Sequence, residues 1–484
     1  MYIGIDLGTS SCKGLLVDKQ GKILRIHAVP YDVSYPKDGY SEQDPKQWID
    51  AVDEILDKLS EGIKDQILGI SFGGQMHGLV ALDENDEVIR PCILWNDART
   101  EEETRYLNEK IGKDVLSAET ANIAFAGFTA PKLLWMKKNE PENFARIAKI
   151  MLPKDYAIYR LTGVHATDYS DASGMLLLDV KNKKWSKRMC EVCSVKESWL
   201  PKLFESYEVV GKPKPEYGLP NAVVTAGAGD NAAAAIGTGC IHNGECNVSL
   251  GTSGTVFIAS DKFSVDKNNA LHSFDHANGK YHLMGCILAA ASCNKWWLEK
   301  VLQTTDYKEA YAGLKLGENP VFFLPYMMGE RSPHNDPFAR SAFIGMRPDT
   351  SAKDMSLAIL EGVSFALKDC LEIARDNGIE IKKATVCGGG AKNHLWMELL
   401  ANILDVDVYC LENEQGPAYG AAILAMVGRG DYKDFDEASK AIIRKNLVAS
   451  PDDKLREAYK RKYEIFRSLY PALKDSFALM NKNK

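Results

Sequence analysis

The tetrapeptide Leu-Gly-Thr-Ser occurs twice in this chain, at residues 7–10 and again at residues 250–253. Each copy stands between two apolar, β-branched runs, and this pattern predicts a β-hairpin whose tip consists of small residues. Clustered N–H groups at such a tip suit phosphate oxygens. Because the repeat lies about half a chain away, the sequence predicts two related lobes that each present one hairpin to a ligand held between them. A nucleoside triphosphate fits that arrangement.

The first hairpin also carries a single acid, Asp6, at the end of its first strand. A carboxylate facing a phosphate is reasonable only if a cation such as Mg²⁺ lies between them. The alternative interpretation of this stretch alone is a polar turn with no ligand.

Length and charge limit the class of protein. A chain of 484 residues with 45% hydrophobic and 26% charged residues is typical of a soluble protein with more than one domain, and we place the division between lobes 1–240 and 241–484. The net charge of -7 disfavours nucleic acid or an acidic membrane as the main partner. No apolar stretch is long enough to span a bilayer. Eleven cysteines, and a start that resembles a strand rather than a signal peptide, predict reduced thiols and a cytoplasmic location.

Two polar clusters follow apolar strands in the first lobe. Residues 67–72 lead into Gly-Gly-Gln-Met-His-Gly, which includes Gln75 and His77, and residues 93–99 include Trp95. Ligands of α/β sheets bind at the carboxyl ends of strands, where these clusters fall. His77 is either a buried histidine held by a backbone carbonyl or a hydrogen-bonding group for a polar substrate. Trp95 either precedes a capped helix or packs its indole against a sugar.

A lone carboxylate, Asp230, follows the small-residue strand 222–228 and precedes an alanine-rich helix. One interpretation is an N-cap, since aspartate is common there. The other is a general base that accepts the proton of an alcohol during phosphoryl transfer. Its position between two phosphate hairpins in the sequence favours the chemical role.

The second lobe contains a further glycine-rich strand end. Residues 383–387 form a predicted strand that ends in three glycines before the helix 393–404, which suits the nucleotide side of a cleft. Ser351 and Asp354 predict a capping pair for a long helix over residues 351–377. Trp296 and Trp297 are assigned to the core. The charged stretch 452–469 is expected to be a solvated surface helix.

With these residues assembled, the chain resembles the FGGY family of carbohydrate kinases from residue 1 to about residue 430. The runs that carry the resemblance include MYIGIDLGTS, GGQMHG, ILWNDAR, LPKDY, AGAGDNAA, SLGTSG, FLPYMMGERSPHND, CGGGAKN and GPAYGAA, in family order. The resemblance implies an α/β fold of two ribonuclease-H-like lobes, as in actin and hexokinase, with a deep cleft between them. It also implies ATP-dependent phosphorylation of a sugar, and the GQMHG loop points to the branch that acts on D-xylulose. Departures are small: Ser332 stands where threonine is common, and Tyr419 where a smaller residue is usual.

The resemblance assigns roles to individual residues. It implies catalytic roles for Asp6 and Asp230; sugar binding by Gln75, Met76, His77, Trp95, Asp230 and Asn231; ATP binding by Thr9, Ser10, Lys13, Gly251, Thr252, Gly389, Gly390 and Asn393; and Mg²⁺ binding by Asp6 and Asp230. Two alternatives stay open. One is a kinase for another pentulose or an alditol, such as ribulose or glycerol, and the other is an actin-like nucleotide switch without turnover. A homodimer is kept open as the assembly state.

Overall fold

Two seven-stranded sheets organise the chain in a computed structural model that describes residues 1–412 and 415–482. The first sheet has the strand order Val209–Gly211, Val223–Thr225, Gly69–Gly74, Tyr2–Leu7, Ser11–Val17 and Ile23–Pro30, with Ala228–Gly229 also paired to Gly69–Gly74. The second has the order His272–Asp275, Tyr281–Ile287, Gly254–Ser260, Glu245–Leu250, Lys383–Cys387, Asp407–Leu411 and Lys445–Ala449.

The two sheets share one topology. Tyr2–Leu7 pairs antiparallel with Ser11–Val17 and parallel with Gly69–Gly74. In the second sheet, Glu245–Leu250 makes the same two kinds of pairing, antiparallel with Gly254–Ser260 and parallel with Lys383–Cys387. The two Leu-Gly-Thr-Ser tips therefore occupy equivalent corners. This confirms the predicted pair of related, ribonuclease-H-like lobes, while the division at residue 240 stays a prediction.

Helices and short strands complete the described residues. The α-helices are Pro45–Ser60, Glu101–Tyr106, Lys113–Thr120, Thr129–Asn139, Pro141–Ala145, Pro153–Thr162, Tyr169–Ala172, Lys187–Cys193, Asp230–Gly237, Ala291–Lys295, Tyr307–Tyr311, Ala352–Asp376, His394–Leu404, Pro417–Arg429, Phe435–Ile442 and Asp453–Lys482. The short strands are Glu42–Gln43, Val80–Leu82, Cys92–Ile93, Lys149–Met151, Ala166–Asp168, Leu178–Asp179, Lys184–Trp185, Lys202–Phe204, Phe322–Leu324 and Ala342–Ile344.

The predicted capping pair is confirmed, because Ser351 and Asp354 each accept a hydrogen bond from the other's backbone N–H. No helix among the described residues is both long enough and apolar enough to cross a bilayer.

Two helices, one from each half of the chain, meet between the sheets. A Cβ atom at Gly420, in Pro417–Arg429, would lie 1.7 Å from the carbonyl oxygen of Ala233, in Asp230–Gly237. A Cβ atom at Gly4 would similarly lie 2.0 Å from the carbonyl oxygen of Ala418. Only glycine permits these approaches of backbone to backbone. The helix that begins at Asp230 is thus fixed against the second half of the chain.

Residues 76–206 form an additional layer between the strands Gly69–Gly74 and Val223–Thr225. This layer has an apolar core of its own, in which Met76, Phe128 and Leu133 are buried together with Phe274 from the second sheet. The inserted layer therefore joins the two lobes on one side of the cleft and carries the loop around His77.

The C-terminal helix corrects one prediction. Asp453–Lys482 is not only a solvated surface helix, because it buries a stripe of aromatic side chains against the second core, namely Tyr459, Tyr463, Phe466, Tyr470 and Phe477. The hydroxyl of Tyr463 donates to Asp369 at 2.7 Å, and Lys462 pairs with Glu361 at 2.6 Å. The aromatic residues recur at helical spacing, but the many charged residues between them favoured the prediction of a solvated helix.

Candidate active site

The first hairpin brings Asp6, Thr9, Ser10 and Lys13 to the end of the first sheet. Asp6 pairs with Lys13 across the hairpin and with Gly73 on the neighbouring parallel strand. Lys13 extends from here to the second half of the chain, where its Nζ donates to Oε1 of Gln415 at 2.9 Å. Ser10 is exposed at the tip. The tip of the hairpin is therefore exposed next to a segment from the second half of the chain, and its role toward a ligand stays a prediction.

Thr9, Gln75 and Trp95 form one hydrogen-bonded network behind that tip. The indole Nε1 of Trp95 donates to the hydroxyl of Thr9 at 2.9 Å, and this hydroxyl donates to Oε1 of Gln75 at 3.2 Å. The Gln75 amide also donates to Gln43 at 3.0 Å. Because Gln75 is only 2% exposed while Trp95 is 42% exposed, Gln75 supports the loop from inside and Trp95 keeps an exposed indole surface.

His77 is held in an unusual backbone conformation. Its φ of 70° lies in the left-handed region, and its carbonyl oxygen accepts hydrogen bonds from Thr129 at 3.0 Å and from the buried Nζ of Lys132 at 2.7 Å. Its ring stacks on Phe128 with centroids 4.6 Å apart. These contacts fix the direction of the imidazole, and Lys132 and Phe128 are site-building residues that the sequence reading missed.

The imidazole of His77 is neutral with a defined tautomer. Burial and the nearby positive charge of Lys132 lower the pKa of His77 to about 3. Its Nδ1 lies 2.8 Å from the carbonyl oxygen of Gly174, so Nδ1 carries the proton and donates it. Nε2 is left as a hydrogen-bond acceptor. The interpretation of His77 as a buried histidine held by a backbone carbonyl is therefore confirmed, and its role toward a polar substrate stays a prediction.

Asp230 is the first residue of the helix Asp230–Gly237 and directly follows the strand Ala228–Gly229. Its Oδ1 accepts two hydrogen bonds from Asn231, one from the backbone N–H at 2.7 Å and one from the side-chain amide at 2.9 Å. Burial raises the pKa of Asp230 to about 6, against the lowering effect of these two donors. Met76 packs against the backbone of Gly229, just before Asp230. Met76, Asp230 and Asn231 are thus brought together, and their contacts with a sugar stay a prediction.

The two carboxylates at the hairpin and the helix start are electrostatic neighbours. Burial and then the charge of Asp230 raise the pKa of Asp6 to about 7, while Lys13 lowers it. A divalent cation between them would relieve this repulsion, and carboxylate oxygens are the ligands that Mg²⁺ prefers. The described residues contain no group of three metal-ligating side chains. Since Mg²⁺ is commonly held by one or two carboxylates and by substrate phosphates, Asp6 and Asp230 fit that ion.

The second hairpin borders a cavity of about 1190 Å³. Its lining includes five of the residues assigned to ATP, which are Gly251, Thr252, Gly389, Gly390 and Asn393. The carbonyl oxygen of Thr252 accepts hydrogen bonds from Ala290 N–H at 2.9 Å and from the Ser292 hydroxyl, and Asn393 caps the helix His394–Leu404. A nucleoside fits a cavity of this size, next to a hairpin tip suited to phosphates.

Aromatic residues of this cavity were not found from the sequence. Trp296, Tyr307 and Tyr311 line it together with Lys392 and His394. The assignment of both tryptophans to the core is confirmed for Trp297, whose Nε1 donates to Ser356 at 2.8 Å, and partly for Trp296, which packs against the core and also lines the cavity. Adjacent tryptophans on a helix point in different directions, so Trp297 is buried while Trp296 is only partly buried.

Comparison with known proteins agrees with this geometry. The N-terminal domain of the FGGY family of carbohydrate kinases matches residues 1–237, and the C-terminal domain of the same family matches residues 246–429. The chain is 38% identical to the xylulose kinase of Bacillus subtilis strain 168, over 98% of this chain and 97% of that protein. It is also 38% identical to the xylulose kinase of Escherichia coli K12, over 98% and 99% of the two chains.

A solved structure has the same fold over the whole length. The ligand-bound xylulose kinase from Lactobacillus acidophilus superimposes with a TM-score of 0.94 at 28% identity and covers 99% of both chains. Two hairpins with the same Leu-Gly-Thr-Ser tip on related sheets, and full-length similarity to these kinases, lead to one conclusion. The chain belongs to the FGGY family of carbohydrate kinases.

Proposed function

We propose that this chain transfers the γ-phosphoryl group of ATP to the 5-hydroxyl of D-xylulose, with Mg²⁺ as the divalent ion. The observation that carries the proposal is the identity of 36–39% over 97–98% of this chain to bacterial proteins named xylulose kinase. Full-length similarity at this level supports a common substrate, and the pocket around His77 supplies groups that suit a polyol.

The sugar side of the reaction uses Asp230 as general base. Its Oδ1 is occupied by Asn231, so Oδ2 is the oxygen that takes the proton of the 5-hydroxyl. As that proton moves to Oδ2, the hydroxyl oxygen forms a bond to the γ-phosphorus, and the bond from this phosphorus to the β-phosphate oxygen breaks to give ADP. A pKa of about 6 leaves the carboxylate ionised at neutral pH and still basic enough to accept a proton.

The remaining substrate-binding residues orient the two reactants. Met76 and His77 contact the sugar, with Nε2 of His77 accepting a hydrogen bond from a hydroxyl, and Trp95 covers it with its indole. Gln75 acts behind them through Thr9. On the nucleotide side, the two hairpin tips bind phosphates, and the cavity next to Gly389 takes the nucleoside. Asp6 and Asp230 would hold Mg²⁺, which when bound offsets negative charge on the phosphates.

We further infer how the chain is organised in solution. The lobes 1–240 and 241–484 act as the two units of the cleft, and the protein works in the cytoplasm. A homodimer is supported by the edge strand Ile23–Pro30, which exposes a wholly apolar face made of Leu24, Ile26, Ala28 and Pro30. Sedimentation of wild type and of Ile26→Lys tests this assembly. We expect a dimer that the lysine dissociates, and a monomeric wild type would contradict it.

The substrate is tested by ADP release from the purified protein with Mg-ATP and one sugar at a time. D-Xylulose is expected to give the highest kcat/KM in a panel with D-ribulose, L-ribulose, glycerol and a blank. A higher kcat/KM with another sugar would show that this other sugar is the substrate, while the assignment of the protein as a kinase would stand. The other pentulose, alditol and switch alternatives are not favoured, because the relatives at 36–39% identity are xylulose kinases.

A further inference from the structure

Arg331 lies on a loop that is firmly attached to the second sheet. The carboxylate oxygen Oε1 of Glu330 accepts hydrogen bonds from the N–H groups of Leu288 at 2.9 Å and of Arg331 at 2.8 Å. Ser332 and Cys286 exchange two more bonds, from Ser332 N–H to the Cys286 carbonyl at 2.9 Å and from Cys286 N–H to the Ser332 hydroxyl at 3.1 Å. The Arg331 backbone is therefore pre-positioned, which favours a binding role for its side chain.

The guanidinium of Arg331 reaches the inserted layer of the first lobe. It lies over the ring of Phe125, 5.3 Å from the centroid. Phe125 contacts Phe128 with centroids 5.4 Å apart, and Phe128 in turn stacks on His77. The positive charge of Arg331 also lowers the pKa of His77. Arg331 thus approaches the pocket from the lobe opposite to His77.

Within the described part of the chain, the guanidinium of Arg331 contacts the Phe125 ring but has no polar partner. Among residues 1–412 and 415–482 it makes no hydrogen bond and no ion pair, although it is only partly exposed. A guanidinium carries five N–H donors in a planar fork, and those of Arg331 are not among the buried side-chain atoms that lack a partner, so they are accessible to a ligand. A ligand bound in the pocket next to His77 would supply an oxygen that accepts hydrogen bonds from Arg331.

The position of Arg331 indicates which end of the sugar it would contact. The charges that act on Asp6 are those of Asp230 and Lys13, whereas Arg331 acts on His77 and on His272. If the 5-hydroxyl lies at Asp230, the far end of an extended five-carbon chain lies toward His77 and Arg331. In a 2-ketose that end carries a carbonyl oxygen, which only accepts hydrogen bonds, between hydroxyl groups that can donate.

We propose that Arg331 donates hydrogen bonds to the carbonyl end of the sugar, opposite the acceptor Nε2 of His77, and thereby makes the enzyme prefer ketoses to alditols. This inference rests on the proposed function, since it takes D-xylulose as the substrate. A donor on one lobe and an acceptor on the other match a carbonyl next to a hydroxyl. Reduction to an alditol moves this oxygen out of the plane and adds a proton that needs an acceptor of its own.

The test compares Arg331→Met with wild type on D-xylulose and on xylitol and D-arabinitol, the two alditols that its reduction gives. Loss of a charge-assisted hydrogen bond lowers kcat/KM for D-xylulose about 10- to 150-fold, mainly through KM. We expect the ratio of kcat/KM for ketose over alditol to fall at least about tenfold. The KM for ATP should stay within about threefold, because Arg331 faces the sugar side.

Controls separate this role from folding and from the proposed function. Arg347→Met changes an exposed arginine of the same lobe and should leave every ratio unchanged. Arg331→Lys keeps the charge without the planar fork and should give an intermediate ratio; it also serves as the test variant if Arg331→Met fails to fold. Wild-type turnover of D-xylulose tests the substrate, and only the variant ratios test Arg331. Equal losses on ketose and alditols, or an unchanged KM for D-xylulose, would overturn the inference.

Discussion

Asp230→Asn removes the proposed base and keeps its shape. In this variant the side-chain carbonyl can still accept the two hydrogen bonds from Asn231, which are 2.7 and 2.9 Å long in the wild type. The amide nitrogen then occupies the position of Oδ2. An amide nitrogen donates and cannot take up a proton, so the 5-hydroxyl loses its acceptor while the pocket keeps its volume.

The expected loss follows from the role of a base in the transition state. With a pKa of about 6, most of the wild-type carboxylate is ionised at pH 8, and general-base catalysis commonly contributes about 10²- to 10⁴-fold. We expect kcat to fall by this factor. The KM for Mg-ATP is expected to rise as well, because the variant keeps only Asp6 of the two carboxylates that would hold Mg²⁺.

The assay couples ADP release to NADH oxidation at pH 8, and calorimetry measures D-xylulose binding in the same preparations. Binding is expected within about threefold of wild type, since the hydroxyl can still bond to the amide. Asp114→Asn is the matched control, because Asp114 is an exposed aspartate in the first turn of another helix, Lys113–Thr120. A kcat for Asp230→Asn within tenfold of wild type, or a similar loss in the control, would refute the assignment of Asp230 as base.

Three further predictions concern other parts of the site. His77→Ala should raise the sugar KM at least about tenfold and leave the KM for ATP unchanged; equal effects would contradict the assigned pocket. Gly389→Ala places a methyl group in open space of the cavity, so the KM for ATP should rise with an unchanged melting temperature; unchanged ATP kinetics would contradict this. Burial raises the pKa of Glu330 from 4.5 to about 8. The native state therefore keeps a proton that the unfolded state releases, and unfolding free energy falls by up to about 1.4 kcal/mol per pH unit between these values. Glu330→Gln should flatten this slope in urea titrations, and an unaltered slope would exclude Glu330 as its source.

The duplicated hairpin was readable from the sequence because hairpins are local. A strand, a small-residue turn and a second strand leave a contiguous signature, and identical tips at residues 7–10 and 250–253 revealed the two lobes. The same holds for helix starts, such as Pro45 after the capping residue Asp44. Asp230 was also found, since a single carboxylate among glycines is conspicuous.

Contacts between distant segments were not readable in this way. Lys132 lies within an apolar helix, and nothing local shows that its Nζ bonds the carbonyl of His77. Arg331 looked like one member of a polar loop until Phe125, more than two hundred residues earlier, was placed beneath it. The aromatic stripe around Tyr463 was obscured by the charges between its members. Such features depend on tertiary packing, and the periodicity and spacing of residues carry no information about contacts between distant segments.

In the proposed reaction the phosphoryl group is transferred to one defined oxygen of one sugar, and analysis of the product identifies that oxygen. D-Xylulose labelled with ¹³C at C5 is incubated with Mg-ATP and the purified protein, and the product is followed by ³¹P and ¹³C NMR. We expect a new phosphate monoester whose phosphorus couples to the labelled C5, formed in step with ADP. A phosphate coupled to C1, or ATP consumption without any sugar phosphate, would contradict it.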